Sequence, residues 1–297
     1  MPAVEVIDVV KTYGDKNVVD RVSFNVDQGQ IVGLIGPNGA GKTTAIRIMM
    51  DIIKPDAGEV LILGRTFVEE SKNLVGYLPE ERGLYKKMTV LDTLVYFGSL
   101  KGLAPADASQ KAETWLKRVN LIAHQHKKME ELSHGMAQLI QIVSTVLHNP
   151  KLLIFDEPFN GLDPVNMQLV KEIIAGLRRE GKAIILSTHR MNEVEELCDS
   201  VFMINKGKGV LQGGLADIKR RFRGNTLTIE SDGTLGDLTG VSSVKTEGAK
   251  TEVVMAEGTT PQQVLEQLVK NKVALTRFEV ATPSLNDIFI RIAGENS

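Results

Sequence analysis

Ile31-Val32-Gly33-Leu34-Ile35-Gly36-Pro37-Asn38-Gly39-Ala40-Gly41-Lys42-Thr43-Thr44 is the stretch that decides the fold. Ile31 to Ile35 is a short apolar run of the kind that fills a strand buried on both faces. Gly36 to Gly41 breaks that pattern, and Lys42 to Met50 reads as a helix. Residues 36–43 fit G-x-x-x-x-G-K-[ST] in the strand–turn–helix context the motif requires. The glycines let the backbone over Gly36, Pro37, Asn38, Gly39, Ala40 and Gly41 curl so that its N–H groups point at the β- and γ-phosphates. The helix that follows presents the positive end of its dipole to the same anion. Lys42 supplies a point charge, and the Thr43 hydroxyl is a ligand for Mg²⁺.

Working outward, Leu152-Leu153-Ile154-Phe155-Asp156-Glu157 is a second buried-strand run, ending in two acids. Such a strand delivers Asp156 to the carboxyl edge of the sheet, where ligands bind in open α/β folds. Asp156 is expected to hold Mg²⁺ through water, and Glu157 to polarise an attacking water. Ala183 to Ser187 is a third run of the same type. A helix is expected between the last two, with Asp163 as N-cap, Pro164 in its first position and Gly181 past its end. Strand, helix and strand of this composition imply a parallel or mixed sheet covered by helices.

Residues 3–35 read as strands, with Val22, Phe24 and Val26 alternating with polar neighbours. Val90–Leu100, Ala106–Val119 and Gly135–Leu147 carry helix-period apolar stripes, so residues 86–150 read as an inserted helical subdomain. Lys206-Gly207-Lys208-Gly209 marks a hairpin turn, and Leu215–Phe222 a short basic helix. The character changes after Arg223-Gly224. Strands are expected near Thr226–Ile229, Val241–Thr246, Glu252–Ala256 and Val273–Val280, with helices near Thr260–Asn271 and Ser284–Ile292. The chain is therefore divided into a first domain over 1–222 and a small α+β domain over 225–297.

The 297 residues are 42% hydrophobic and 24% charged, with a formal net charge of −2. These are ordinary globular values, and the absence of a basic excess argues against nucleic acid as a partner. The lone cysteine, Cys198, cannot form an internal disulfide and reads as core filler in a reducing compartment. The first residues have no signal-peptide pattern, and no run of about 18 apolar residues occurs. Any membrane connection is expected to run through a partner protein.

A third element narrows the class. Leu132-Ser133-His134-Gly135-Met136 resembles the signature motif of ATP-binding cassette proteins, usually Leu-Ser-Gly-Gly-Gln. Other family elements follow in order. Tyr13 matches the aromatic residue that stacks on adenine. Glu80, after Gly76-Tyr77-Leu78-Pro79, stands where the Q-loop glutamine usually is. Asn160-Gly161-Leu162-Asp163 resembles the D-loop, and Ser187-Thr188-His189 the switch histidine. The resemblance implies a phosphate-loop NTPase cassette of α/β class that hydrolyses ATP with Mg²⁺. ATP contacts would come from Tyr13, residues Gly36 to Thr43, and Thr44. The metal would be held by Thr43, Glu80 and Asp156, with Glu157 and His189 as catalytic groups. It further implies two cassettes packed head to tail, with Ser133 and Gly135 reaching the partner's ATP and Asp163 linking the sites. A separate membrane permease is implied, which would hold the chain at the inner face of the cell membrane.

Two departures stand out: Glu80 in place of glutamine, and His134 and Met136 in place of glycine and glutamine. Both bear on hydrolysis rate, and they leave a soluble or regulatory nucleotide-binding protein with weak turnover as the alternative. Pro79-Glu80-Glu81-Arg82-Gly83-Leu84-Tyr85 and the small C-terminal domain resemble a bacterial subgroup of the sodium- and drug-export type. In the family, the region Tyr85–Tyr96 docks the permease. Among remaining features, the pair His124 and His126 reads as a solvated loop. His148 is expected to meet the last carbonyls of its own helix. Trp115 reads as packing, and Lys219–Arg223 as a basic helix face.

Overall fold

The structure is a computed structural model that describes residues 2–81, 83–222, 224–232, 234–248, 250–281 and 283–295. Arg82, in the expected export-type segment, and Arg223, at the expected domain junction, lie outside the described residues. The chain divides into two compact units, Met1–Leu215 and Ala216–Ser297.

The first unit opens with β1 (Val4–Tyr13), β2 (Lys16–Val26) and β3 (Ile31–Ile35), then α1 (Lys42–Met49). Three strands follow: β4 (Ala57–Ile62), β5 (Arg65–Thr66) and β6 (Val75–Leu78). The helical subdomain contains α2 (Val90–Leu100), α3 (Pro105–Arg118) and α4 (His134–Val146), within a residue or two of the stripes read from sequence. The chain then alternates β7 (Leu152–Asp156), α5 (Pro164–Arg179), β8 (Ala183–Ser187) and α6 (Met191–Leu197). It closes with the hairpin β9 (Ser200–Asn205) and β10 (Lys208–Gly214). Lys206 and Gly207 both take positive φ at its turn, the geometry that matches the twist of a tight hairpin.

Two sheets pack together. The larger has strand order β10-β9-β3-β8-β7-β6, and only the β9–β10 pairing is antiparallel. Its three central runs, β3, β7 and β8, are buried at every residue, because helices cover one face and the second sheet the other. The second sheet is antiparallel, in the order β2-β1-β4-β5. Val4, Val6, Val22 and Phe24 pack from it against Val32, Leu34, Ile154 and Ile185 of the larger one, and the Phe24 and Phe202 rings stack 4.6 Å apart. Cys198 is buried at the end of α6, and burial pushes its thiol above the usual range.

His148 differs from expectation. It is buried, and its Nε2 lies 3.2 Å from the carbonyl of Val75 on β6, not from carbonyls of its own helix. Burial lowers its pKa to about 4, so the ring is neutral. The Nε2 then carries the proton that the carbonyl accepts.

The second unit takes in α7 (Leu215–Arg221) from its second residue on, then β11 (Thr226–Asp232), β12 (Val241–Glu247), β13 (Lys250–Met255), α8 (Pro261–Lys270), β14 (Ala274–Val280) and α9 (Leu285–Glu295). Its antiparallel sheet runs β12-β13-β11-β14. Leu227, Ile229, Val253 and Met255 meet Val264 and Leu268 of α8 in a separate small core. Thr260 caps α8, in a reciprocal capping box with Gln263.

Candidate nucleotide site

Strand register explains why distant residues meet. Leu34 of β3 and Asp156 of β7 both pair with Ser187 of β8, and Leu78 of β6 pairs with Phe155. The four strands are parallel, so their carboxyl ends stop at one sheet edge. The residues that follow them emerge together there: Gly36–Thr44 after β3, Glu80 after β6, Glu157 after β7, and Thr188 and His189 after β8. A cavity of about 380 Å³ at this edge is lined by Val18, residues Asn38 to Thr44, Glu80, Asp156, Glu157 and His189.

The loop before α1 is shaped by close backbone contacts. Gly41, the N-cap of α1, holds φ +111, and a Cβ there would overlap the carbonyl oxygen of Val18. Only glycine tolerates both constraints. Lys42 is buried, and its Nζ donates to the carbonyls of Gly36 (2.8 Å) and Pro37 (3.2 Å). Burial lowers its pKa, while Glu157, Asp156 and Glu80 pull it back up. One cavity thus holds a lysine charge suited to a phosphate chain and carboxylates suited to a cation.

Glu157 is buried and takes φ +51, a conformation uncommon for a residue with a Cβ. Its N–H donates to the Ser187 carbonyl (2.8 Å), which turns the chain sharply at the strand end. Its carboxylate Oε1 accepts from the His189 N–H (3.0 Å) and faces His189 Nδ1 at 2.8 Å; Oε2 accepts from the Thr188 hydroxyl (3.2 Å). Backbone strain held by three contacts marks a group whose orientation matters. Asp156 beside it is almost fully buried, and burial, with Glu80 and Glu157 adding to it, raises its pKa. Its Oδ2 has no hydrogen-bond partner.

The remaining expected residues lie elsewhere in the unit. Tyr13 is exposed at the end of β1, with Lys11 Nζ 5.7 Å from its ring centre, and does not line the cavity. Ser133 is the N-cap of α4, its hydroxyl accepting from the Met136 N–H (3.3 Å), and Gly135 follows in the first turn. Asp163 caps α5 as expected, accepting from the N–H groups of Val165 and Asn166 at 3.0 Å. The Asn166 N–H and side-chain amide help hold that carboxyl below its ordinary range. Sequence reasoning missed Val18 as a lining residue and Thr188 as a partner of Glu157. Neither carries a local signal: Thr188 follows β8, and Val18 comes from β2 of the other sheet, its carbonyl oxygen against Gly41.

The sheet order, the glycine loop on Lys42 and the acids at the ends of β6 and β7 define a nucleotide-binding cassette of the phosphate-loop class. A family model described as "ABC transporter" matches residues 19–160, and one described as "ATP-binding protein DrrA1-3-like, C-terminal domain" matches residues 213–293. The chain is 43% identical to the uncharacterized ABC transporter ATP-binding protein YhaQ of Bacillus subtilis over 289 residues, covering 96% of this chain and 97% of that one. It is 30% identical to the linearmycin resistance ATP-binding protein LnrL of the same organism, covering 97% of each. It is 32% identical to the Nod factor export ATP-binding protein I of Mesorhizobium japonicum, covering 98% of this chain and 87% of that one. A solved ATP-binding subunit of an ABC transporter superposes with a TM-score of 0.70 at 34% identity, over 74% of this chain and 93% of that one. The chain belongs to the ATP-binding subunits of ABC transporters. It binds ATP and is an ATPase coupled to transport. Among the described residues no helix is long and apolar enough to cross a membrane, and membership in the family implies paired cassettes and a membrane permease as partners.

Proposed function

We propose that two copies of this cassette, or one copy and a close relative, pack head to tail and drive export through a separate permease. ATP would lie with its phosphates on residues 36–44 of one cassette and under Ser133 and Gly135 of the other. The observation that carries this reading is the cavity shared by the phosphate loop, Asp156, Glu157 and His189. Lys42 would leave the Gly36 and Pro37 carbonyls for the phosphate oxygens. Glu157 would take the proton of the attacking water, its carboxylate aimed by Thr188 and the His189 N–H. The His189 ring, more than half exposed, would turn to the γ-phosphate. Tyr13 would stack on adenine from the end of β1, and Asp163 would link the two sites across the dimer.

Mg²⁺ fits the donors present. Thr43, Asp156 and Glu80 offer hard oxygens, and Asp156 Oδ2 is buried without a partner. A hydroxyl and one or two carboxylates, together with substrate phosphates, are the kind of donor set that holds this ion. Bound there, the ion would neutralise charge developing on the β- and γ-phosphoryl oxygens.

The permease would dock on the aromatic surface of the helical subdomain. Tyr85 and Tyr96 are exposed large aromatics with ring centres 5.6 Å apart, and Phe97 stacks beside Tyr85. That contact would hold the chain at the inner face of the cell membrane. Export is supported by the resistance and export relatives and by the C-terminal unit. The test is the Glu157→Gln chain sized in ATP and Mg²⁺. Accumulation of an ATP-loaded dimer with turnover lost supports the reading; full turnover without the carboxylate rejects it.

A further inference from the structure

The start of α4 makes a contact that the nucleotide reading leaves unexplained. His134 is the first residue of that helix and stands where the related motif has glycine. Its imidazole lies directly on Gly161 of the D-loop. A Cβ on Gly161 would overlap the His134 ring, and Gly161 holds φ +74, so space and backbone both require glycine there. One residue further, the Cα hydrogen of Gly135 points at the same loop: a Cβ at that position would sit 3.6 Å from the Gly161 carbonyl oxygen and 3.8 Å from both the Asn166 amide and Leu162. Asn166 is in turn bound by Asp163 at the cap of α5.

The chain of contacts continues inward. Gly161 lies inside a turn closed by the Leu162 N–H on the Phe159 carbonyl (3.3 Å), which follows one closed by the Asn160 N–H on the Glu157 carbonyl (3.2 Å), and Phe159 is buried. It also continues outward. His134, Gly161 and Asp163 are exposed, and Val165 beside them leaves 79% of its surface open, an apolar side chain in a polar neighbourhood.

We propose that His134 is a positioning residue that locks the signature loop and the D-loop of one chain into a single preformed face for a second copy of the chain. The proposal rests on the head-to-tail reading. Two loops that must meet one partner together lose conformational freedom on docking, and a ring wedged between them removes part of that loss beforehand. Glycine at this position leaves the two loops free to move separately.

A double-mutant cycle in the Glu157→Gln background tests this, with the dissociation constant of the ATP-loaded dimer read by sedimentation. His134→Gly is expected to weaken the dimer by roughly 5- to 10-fold, while the affinity of the isolated chain for a fluorescent ATP analogue moves less than about 2-fold. Gly161→Ala is expected to weaken the dimer strongly when His134 is present and clearly less when residue 134 is glycine, because the backbone strain is common to both backgrounds and only the ring overlap is relieved. A dimer equally tight in the His134→Gly chain, with additive effects in the cycle, overturns the positioning role alone. A chain that binds ATP but forms no dimer overturns the head-to-tail reading and this proposal together.

Discussion

The two functional edges of the first unit are built differently. The phosphate-loop edge is enclosed: Lys42, Asp156 and Glu157 are buried, four strands deliver its residues, and Glu157 holds a positive φ despite its Cβ. The signature edge is open: Ser133, His134, Gly161 and Asp163 lie at the surface, held by helix caps and one ring contact. Enclosure suits the side that aims a carboxylate and a lysine at a reacting phosphate, where preorganised groups act most strongly. Openness suits the side that must be completed by another molecule. On the proposed head-to-tail reading, the difference is that between two halves of a site, each completed by its complement on a second copy.

The largest effect is expected at the enclosed edge. Glu157→Gln should lower ATP turnover by roughly 10²–10⁴-fold, measured at saturating ATP, because the proton acceptor is lost while every contact to phosphate remains. Equal loss from Asn160→Ala would mean that the carboxylate is not the special element of this edge.

His148, away from both edges, provides a baseline for stability. The folded ring stays neutral down to about pH 4, whereas the unfolded imidazole takes up a proton below its usual 6.5. The unfolded state binds more protons in that window, so stability is complete above 6.5 and falls as pH drops toward 4, by up to about 3 kcal/mol. Urea titrations between these pH values should show this slope in the natural chain and a shallower one in His148→Gln, which keeps a donor for the Val75 carbonyl.

At the open edge the effects should be smaller and of another kind. Ser133→Ala removes the cap of α4 and should cost about 1 kcal/mol of stability in thermal or chemical unfolding. Its turnover should drop without any change in the ATP affinity of the isolated chain. A weakened ATP affinity would place Ser133 in the chain's own site and erase the contrast between the edges. Similar in size, but on the phosphate-loop side, Tyr13→Ala should weaken ATP binding by about 1 kcal/mol, roughly 5-fold, and spare binding of inorganic triphosphate, since only the base is stacked.

Legibility in the sequence followed the same division. The buried strands β3, β7 and β8 were readable to within a residue, because a strand covered on both faces is apolar without interruption. The cap of α5 at Asp163 and Pro164 was readable because capping chemistry is local. β4 and β6 were not: β6 is four residues long with Gly76 inside it, and β4 begins Ala57-Gly58-Glu59, neither showing a run or a clean alternation. At the site, the identities of Lys42, Asp156, Glu157 and His189 were legible, but not the turned backbone of Glu157 or its Thr188 contact, which arise from the pairing of β7 with β8. The expected helix-end role of His148 failed for a similar reason, since its partner sits on a strand far away in sequence. The contact of His134 with Gly161 was invisible, being made between two loops that sequence gives no reason to join.

The most direct test of the half-site account mixes two inactive chains, one carrying Lys42→Ala and the other Ser133→Arg. Each alone disables both sites of its own dimer. In a mixed dimer, one site joins the intact phosphate loop of the Ser133→Arg chain to the intact signature loop of the Lys42→Ala chain. The account predicts that ATP turnover returns on mixing and scales with the mixed-dimer fraction. No recovery, in a mixture shown by sizing to contain mixed dimers, would contradict it.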